Sequence, residues 1–274
     1  MTRLAALYIY PVKSLGGVQV ESAAVDALGL VGDRRFLVVD ETGRFLTQRT
    51  LPRMALIRTA LTTDTLQLTQ EGRGGVAVPL APDPAAPLRT VSVWKSEGLT
   101  AEDAGDAAAA WLSDGLATRC RLVRIGRAFQ RPILKPSAAA GDAVSFADAY
   151  PFLILSEASL ADLNDRLIER GEEPLPMNRF RPNFVVSGCA PYEEDTWPRF
   201  RIGEVTFRAG GPCARCVMTT TDQETADRGK EPLRTLATYR RDAEDPTDVN
   251  FGQNLIHETK SGVLRVGDSI QVQD

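Results

Sequence analysis

The stretch LAALYIYPVKSLGGVQVESAAVDALGLVGDRRFLVVDETGRFLTQR, residues 4–49, decides the class of the fold. It holds four short runs rich in β-branched or aromatic residues, LAALYIY, GVQVESAAV, RFLVVD and RFLTQR, with turn residues such as DETGR (40–44) between them. MALIRTAL, TLQLTQ and RTVSVWK (89–95) continue the pattern across the TTD turn (62–64), and GRGGVAVPLAPDPAAP (72–87) reads as a loop with one short strand. Short strands at this density predict antiparallel sheet or barrel. Later strands are expected at PFLIL, FVVSG (184–188), FRIGEVTFRAG (200–210, turning at IGE) and CVMTTT (216–221), with VLRVGDSIQVQ (263–273) as a closing hairpin.

Helices are few. EDAGDAAAAWLSDGL (102–116) is Ala-rich with acidic residues at its start. A second helix has Ser156 as N-cap, an apolar stripe of Leu160, Leu163 and Leu167, and Gly171 as its stop. EPLRTLATYRR (231–241) is expected to be helical, and RPILKPSAAAGD (131–142) an irregular linker. The fold class is therefore α+β, predominantly β.

At 274 residues the chain forms one large domain or two coupled ones. Its 43% hydrophobic and 25% charged residues are those of an ordinary globular protein, and its net charge of -4 argues against nucleic-acid binding. The N-terminus lacks the apolar region of a signal peptide, and no run approaches the ~18 apolar residues of a membrane helix, so a cytoplasmic protein without a membrane partner is expected. There is no GxGxxG or GxxxxGK[ST] loop. A single histidine, His257, is expected to be structural or superficial at a strand edge, and it leaves little room for His-based catalysis.

Chemistry concentrates in four places. In GPCARC (211–216), Gly210 and Gly211 permit close backbone approach, and Arg215 would favour a thiolate beside it. Four cysteines are too few for a disulfide scaffold, and a zinc site would need Cys120 and Cys189 as its second pair. PVKS (11–14) and GDRR (32–35) present cations at strand ends, where only one of Arg34 and Arg35 can face a given side. FRPN (180–183) adds Arg181, with extended backbone before Pro182. Asp148, just before PFLIL, suits acid–base work, a cofactor anchor or a turn. Taken singly, each site also reads as a charged strand cap or a buried turn.

Together, PVKSLGG, GDRRFLVVD, TQR…PRMALI, PFLILSEASLADLN, NRFRPNFVVSGC, YEEDTW, CARCVMTT and EPLRTL resemble the MOSC-domain proteins that carry a MOSC N-terminal β-barrel domain. Within that group the sequence is similar to the mitochondrial amidoxime reducing component and bacterial N-hydroxylated-compound reductases. The resemblance implies an N-terminal β-barrel-like domain over 1–120 packed on a β-barrel-like MOSC domain over 121–274. It implies a molybdenum cofactor, with Cys216 as metal ligand, Lys13, Ser14, Arg34, Arg181, Arg215 and Asn254 as cofactor contacts, and Asp148 at the metal pocket. Thiolate ligation suits a soft metal site, and local Arg and Lys suit a cofactor phosphate. Ala149, Tyr150 and Ala214 depart from hydroxyl residues of the animal members.

The activity implied is two-electron removal of oxygen from amidoximes, hydroxylamines and N-hydroxylated bases, a detoxifying reduction. No iron–sulfur domain is expected within the 274 residues, so the electron donor is a separate flavoprotein reductase, ferredoxin or b-type cytochrome. The alternatives are a persulfide-carrying sulfur-transfer protein, although no pyridoxal-phosphate lysine domain fits this length, a non-enzymatic cofactor carrier, and a thioredoxin-like dithiol.

Overall fold

The computed structural model describes residues 1–81 and 83–273. Strands dominate it, with three α-helices, as the runs of short β-branched segments predict. The largest sheet has eight strands, in the order Ile270–Gln273, Arg199–Ile202, Val205–Ala214, Asn250–His257, Phe152–Ser156, Phe184–Ser187, Arg3–Ile9 and Val18–Val20. Only Phe152–Ser156 and Phe184–Ser187 run parallel within it. A parallel pair needs a crossover, and helix Glu157–Glu169 lies between them in sequence. That helix begins as expected: the Ser159 N–H donates to Ser156 Oγ at 3.0 Å, while Leu163 and Leu167 are buried.

A four-stranded sheet (Phe36–Val39, Arg121–Arg124, Ser96–Asp103, Leu88–Val93) packs beside helix Asp106–Leu116, which buries Ala108, Leu112 and Leu116. Two three-stranded sheets complete the framework: Gly262–Arg265 with Ser22–Asp26 and Gly29–Leu30, and Arg58–Leu61 with Thr65–Gln70 and Gly74–Pro79. Pairing crosses residue 120 in both directions. Arg3–Ile9 sits in the sheet built mainly of later strands, and Arg121–Arg124 pairs with Phe36–Val39. Residues from both halves are thereby brought to one cavity.

The structure corrects several sequence expectations. CVMTTT is not a strand: Val217–Thr220 is a 3-10 turn in which Thr219 Oγ1 and Thr220 Oγ1 donate to the carbonyls of Cys216 and Val217 at 3.0 and 2.8 Å. Threonine hydroxyls compete for backbone partners, and here they outweigh β-propensity. Residues 263–273 form no hairpin, because Gly262–Arg265 pairs with Ser22–Asp26 while Ile270–Gln273 pairs with Arg199–Ile202. RFLTQR makes only isolated bridges at Arg44 and Phe45, MALIRTAL divides into a 3-10 turn (Pro52–Leu56) and a strand (Arg58–Leu61), and the helix expected over 231–241 shortens to Leu233–Leu236. His257, by contrast, takes the structural of the two roles expected of it: it is buried, with Nε2 2.7 Å from the Asp26 carbonyl oxygen and its ring edge-on to Phe152.

Candidate active site

Two loop segments zip together at the base of the site. The Arg34 N–H donates to the Tyr10 carbonyl at 2.7 Å, the Phe36 N–H to Pro11 and the Lys13 N–H to Phe36, both at 3.0 Å. This pairing delivers Lys13 and Arg34 to one cavity and turns Arg35 away, where its Nη2 meets Asp26 Oδ1 at 2.7 Å. The single-sided reading of the two arginines therefore holds. Ser14, Arg34 and Arg181 all have left-handed backbones, with φ of 67°, 47° and 57°, which for Arg181 corrects the extended backbone expected before Pro182. Non-glycine residues in that region are uncommon, and three at one cavity mark local strain held by the surrounding fold.

Tyr10 is the slab between the two arginines. The guanidinium carbons of Arg34 and Arg181 stand 4.4 and 4.2 Å from its ring centroid, and its hydroxyl donates to the Pro182 carbonyl at 3.0 Å. A Cβ on Gly17 would meet the Tyr10 ring at 2.4 Å, which explains that glycine of LGG. Arg34 is further held by Asp33 Oδ2 at 2.6 Å and Asn183 Oδ1 at 2.9 Å. Arg181 is 9% exposed, yet its guanidinium has no hydrogen-bond or ion-pair partner among the described residues. Burial pushes its pKa down to about 10.

Asp148 is clamped by a cluster. Lys13 pairs with its Oδ1, to which Trp94 Nε1 also donates at 3.0 Å, and Arg49 Nη2 reaches Oδ2 at 3.1 Å. Buried Arg131 holds the Asp148 backbone carbonyl at 2.7 Å. Desolvation pushes the Asp148 carboxyl up, but the Lys13 and Arg49 charges outweigh it and hold the group well below the usual carboxylate range. It is a carboxylate at neutral pH, not an acid. Burial pushes Lys13 down to about 8 against the pull of Asp148.

The long strand Val205–Ala214 carries GPC into the cavity rim, and Cys216 caps the turn that follows. Arg215 Nη1 donates to Cys213 Sγ at 2.9 Å and its Nη2 to the Phe180 carbonyl at 2.7 Å. Arg49 stands on the other side of the site: burial pushes its guanidinium down, while Asp148 and the nearby Cys216 sulfur raise it above its ordinary range. Asn254 Nδ2 reaches the Gly211 and Pro212 carbonyls at 3.2 and 3.1 Å, bracing the cysteine loop from the neighbouring strand. Gly210 does not leave room for a ligand, as expected of it, because the Tyr150 ring fills that space and its hydroxyl donates to the Gly210 carbonyl at 2.6 Å. Gly211, with φ of +115°, has no atom near its absent side chain.

All eight residues that the sequence nominates, Lys13, Ser14, Arg34, Asp148, Arg181, Arg215, Cys216 and Asn254, line this one cavity, which holds about 790 Å³ including its mouth. Arg49 and Arg179 line it too, so among the described residues six cationic side chains and one carboxylate, Asp148, form its wall, with Asp33 and Asp222 pairing Arg34 and Arg179 from behind. Arg49 Nη1, Arg179 Nε and Arg215 Nε are buried without a hydrogen-bond partner. Buried guanidinium donors left open beside two thiols fit an anionic ligand with a soft metal. No three His, Cys, Asp or Glu side chains group to hold an ion unaided among the described residues, and all four cysteines are free. Sequence reasoning gave no role to Arg49, although TQR was among the resembling motifs, nor to Tyr10 and Trp94.

The MOSC N-terminal beta barrel domain matches residues 1–119 and the MOSC domain residues 141–271. Mitochondrial amidoxime-reducing component 1 of Mus musculus is 38% identical over 97% of this chain and 81% of its own length. The corresponding human protein is 37% identical over 97% and 82%, and mitochondrial amidoxime reducing component 2 of Bos taurus is 38% identical over 96% and 81%. No helix among the described residues is long and apolar enough to cross a membrane. A strand-dominated chain with both domain signatures, and with relatives of this identity along nearly its whole length, belongs to the MOSC-domain family, in the group that carries the MOSC N-terminal beta barrel.

Proposed function

We propose that this protein is a molybdenum cofactor-dependent reductase that removes oxygen from N-hydroxylated compounds, namely amidoximes, hydroxylamines and N-hydroxylated bases. The observation that carries the reading is the unfinished cavity: six cationic side chains, several with open donors, around one carboxylate and two thiols. The names of the relatives point the same way.

In this reading Arg34, Arg181 and Arg215 hold the anionic cofactor together with Lys13, Ser14 and Asn254, Arg49 completes the cationic wall, and Cys216 is the thiolate ligand. Bound there, the cofactor supplies the two-electron reduction that cleaves N–O: two electrons and two protons convert N–OH to N–H and water. The chain contributes orientation and charge. Asp148 remains a carboxylate and fixes Lys13, Arg49 and Trp94 around the mouth. Lys13 Nζ, pushed down to about 8, is the group able to release a proton near neutral pH. Cys213, held by Arg215, braces the loop. Residues 1–120 and 121–274 act as the barrel-like and cysteine-bearing units, and a separate cytoplasmic donor protein supplies the electrons.

The test is expression in a host that makes the cofactor. Wild-type protein is expected to carry molybdenum and pterin and, with a chemical reductant, to consume benzamidoxime. Cys216→Ser is expected to lose the metal; undiminished metal in that variant overturns the ligand assignment. Loaded protein that leaves both benzamidoxime and hydroxylamine untouched overturns the reductase.

A further inference from the structure

We propose that the groove opening beside the cavity is the subsite for the flat, uncharged body of the substrate, with Trp94 as its stacking wall. This rests on the reductase reading above and names the class of substrate it takes. The groove is the larger hollow, about 2260 Å³ with its mouth, and it adjoins the cavity, with Arg49, Asp148 and Ala149 lining both. A molecule lying in it presents one end to the thiol cavity.

Trp94 sits where a tryptophan is costly. Val93 faces Ser96 across the hairpin, so Trp94 and Lys95 form a two-residue turn, and Trp94 has φ of 54°. That first turn position ordinarily takes Gly or Asn, because other side chains are strained there. The side chain is 47% exposed and yet firmly held. Phe45 meets it edge-on at 4.9 Å, Arg49 lies 4.7 Å over it, and its Nε1 donates to Asp148. Arg49 covers part of the ring, and strain, exposure and anchoring to the cavity rim together leave the rest of its aromatic surface open for a ligand. A planar unsaturated group is its natural complement.

The charge around the groove narrows the class. Arg44, Lys95 and Lys135 are exposed along it, and among the described residues its only carboxylates are Glu97 and the already paired Asp148. A cation is disfavoured in such a field. N-hydroxylation lowers the basicity of an amidine, so the oxidised compound enters neutral. The reduced amidine takes up a proton and becomes a cation. The groove therefore favours the neutral planar substrate and expels the charged product of the same shape.

Calorimetric titration of cofactor-loaded protein without reductant tests this with three probes: benzamidoxime, acetamidoxime and benzamidine. Benzamidoxime is expected to bind about tenfold more tightly than acetamidoxime, and that preference is expected to vanish in Trp94→Leu. Trp94→Gly, which relieves the left-handed backbone while removing the ring, must lose it too, and so separates ring loss from misfolding. Benzamidine is expected to bind about tenfold more weakly than benzamidoxime at low salt, with the gap narrowing at high salt. A preference that persists in both variants, or benzamidine binding as tightly as benzamidoxime, overturns the proposal. No turnover is involved, so a protein that fails to reduce benzamidoxime but keeps this binding pattern refutes the reductase and leaves the subsite standing.

Discussion

Two charged clusters in this molecule are built from the same materials and finished differently. Around Asp103, Arg121 donates through Nε at 2.5 Å and Nη2 at 2.8 Å, Arg89 pairs through Nε, and the Gly105 N–H adds a bond at 2.8 Å. Every lone pair of a carboxylate that is 1% exposed is answered from within the chain. The cavity has the reverse balance: of its six cations Arg34 and Arg179 are paired from behind by Asp33 and Asp222, Lys13 and Arg49 share Asp148, Arg181 has no hydrogen-bond partner among the described residues, and three guanidinium nitrogens are buried and open. A fold that closes one cluster so completely leaves the other open for a ligand to complete.

The largest expected effect is on the open cluster alone. Cys216→Ser should reduce bound molybdenum by more than about tenfold, as measured by metal analysis, with an unchanged far-ultraviolet spectrum. Cys213→Ser should retain most of the metal; equal loss in both would make the cysteines a matched pair and erase the distinction between them. Next, Asp103→Asn should lower stability by roughly 2–3 kcal/mol in urea unfolding, less than for a fully buried pair because Arg89 and Arg121 reach solvent. Its metal content should not change. If it does, the closed cluster is not independent of the site.

The two clusters should also separate by pH. Burial pushes Asp103 up, but Arg121, Arg89 and the Gly105 N–H hold it at about 2. Its contribution is full above the unfolded value of roughly 3.9 and is lost as pH falls toward 2. Lys13 behaves in the opposite sense. Its folded value of about 8 lies below the unfolded one, so protonation opposes folding at neutral pH, and stability rises with pH from about 8 toward roughly 10.4. Unfolding curves of cofactor-free wild type and Lys13→Met should differ in slope in that alkaline window, besides the acid range where Lys13 holds Asp148 down; parallel curves in the alkaline window would remove the burial cost assigned to Lys13. The smallest effect is a gain. Arg181→Met should stabilise cofactor-free protein by about 1 kcal/mol while weakening cofactor retention, because a buried charge with no hydrogen-bond or ion-pair partner among the described residues opposes folding until the ligand arrives.

Much of this fold was legible because its signals are local. The Ser156 cap, the Leu163 and Leu167 stripe and the turn between Arg199–Ile202 and Val205–Ala214 follow from neighbouring residues. The split of 263–273 between two sheets was not legible, because each half answers to a strand far away in sequence. Val217–Thr220 misled because β-branched residues also make the hydroxyl-to-carbonyl bonds of a tight turn. Each site residue could be nominated from its motif and the family resemblance, but their convergence could not. Arg49 and Trp94 escaped because their importance lies in contacts with Asp148, reached only through the tertiary fold. The left-handed backbones of Ser14, Arg34 and Arg181 leave no composition signal, since none is glycine.

The exchange of strands across the middle of the chain also sets the order of events during synthesis. Leu7 pairs early with Val20 on one side but finds its other sheet partner only when Phe184 has been made, and Asn254 braces the cysteine loop from a strand made later still. Closing such long loops is slow, and until then the early strand edge is unpaired. The cationic wall therefore has no fixed shape on a nascent chain. Cofactor insertion should be a post-translational event on a nearly finished protein, and truncating the last two strands, Gly262–Arg265 and Ile270–Gln273, should abolish loading even though every nominated ligand, Asn254 included, remains in the chain.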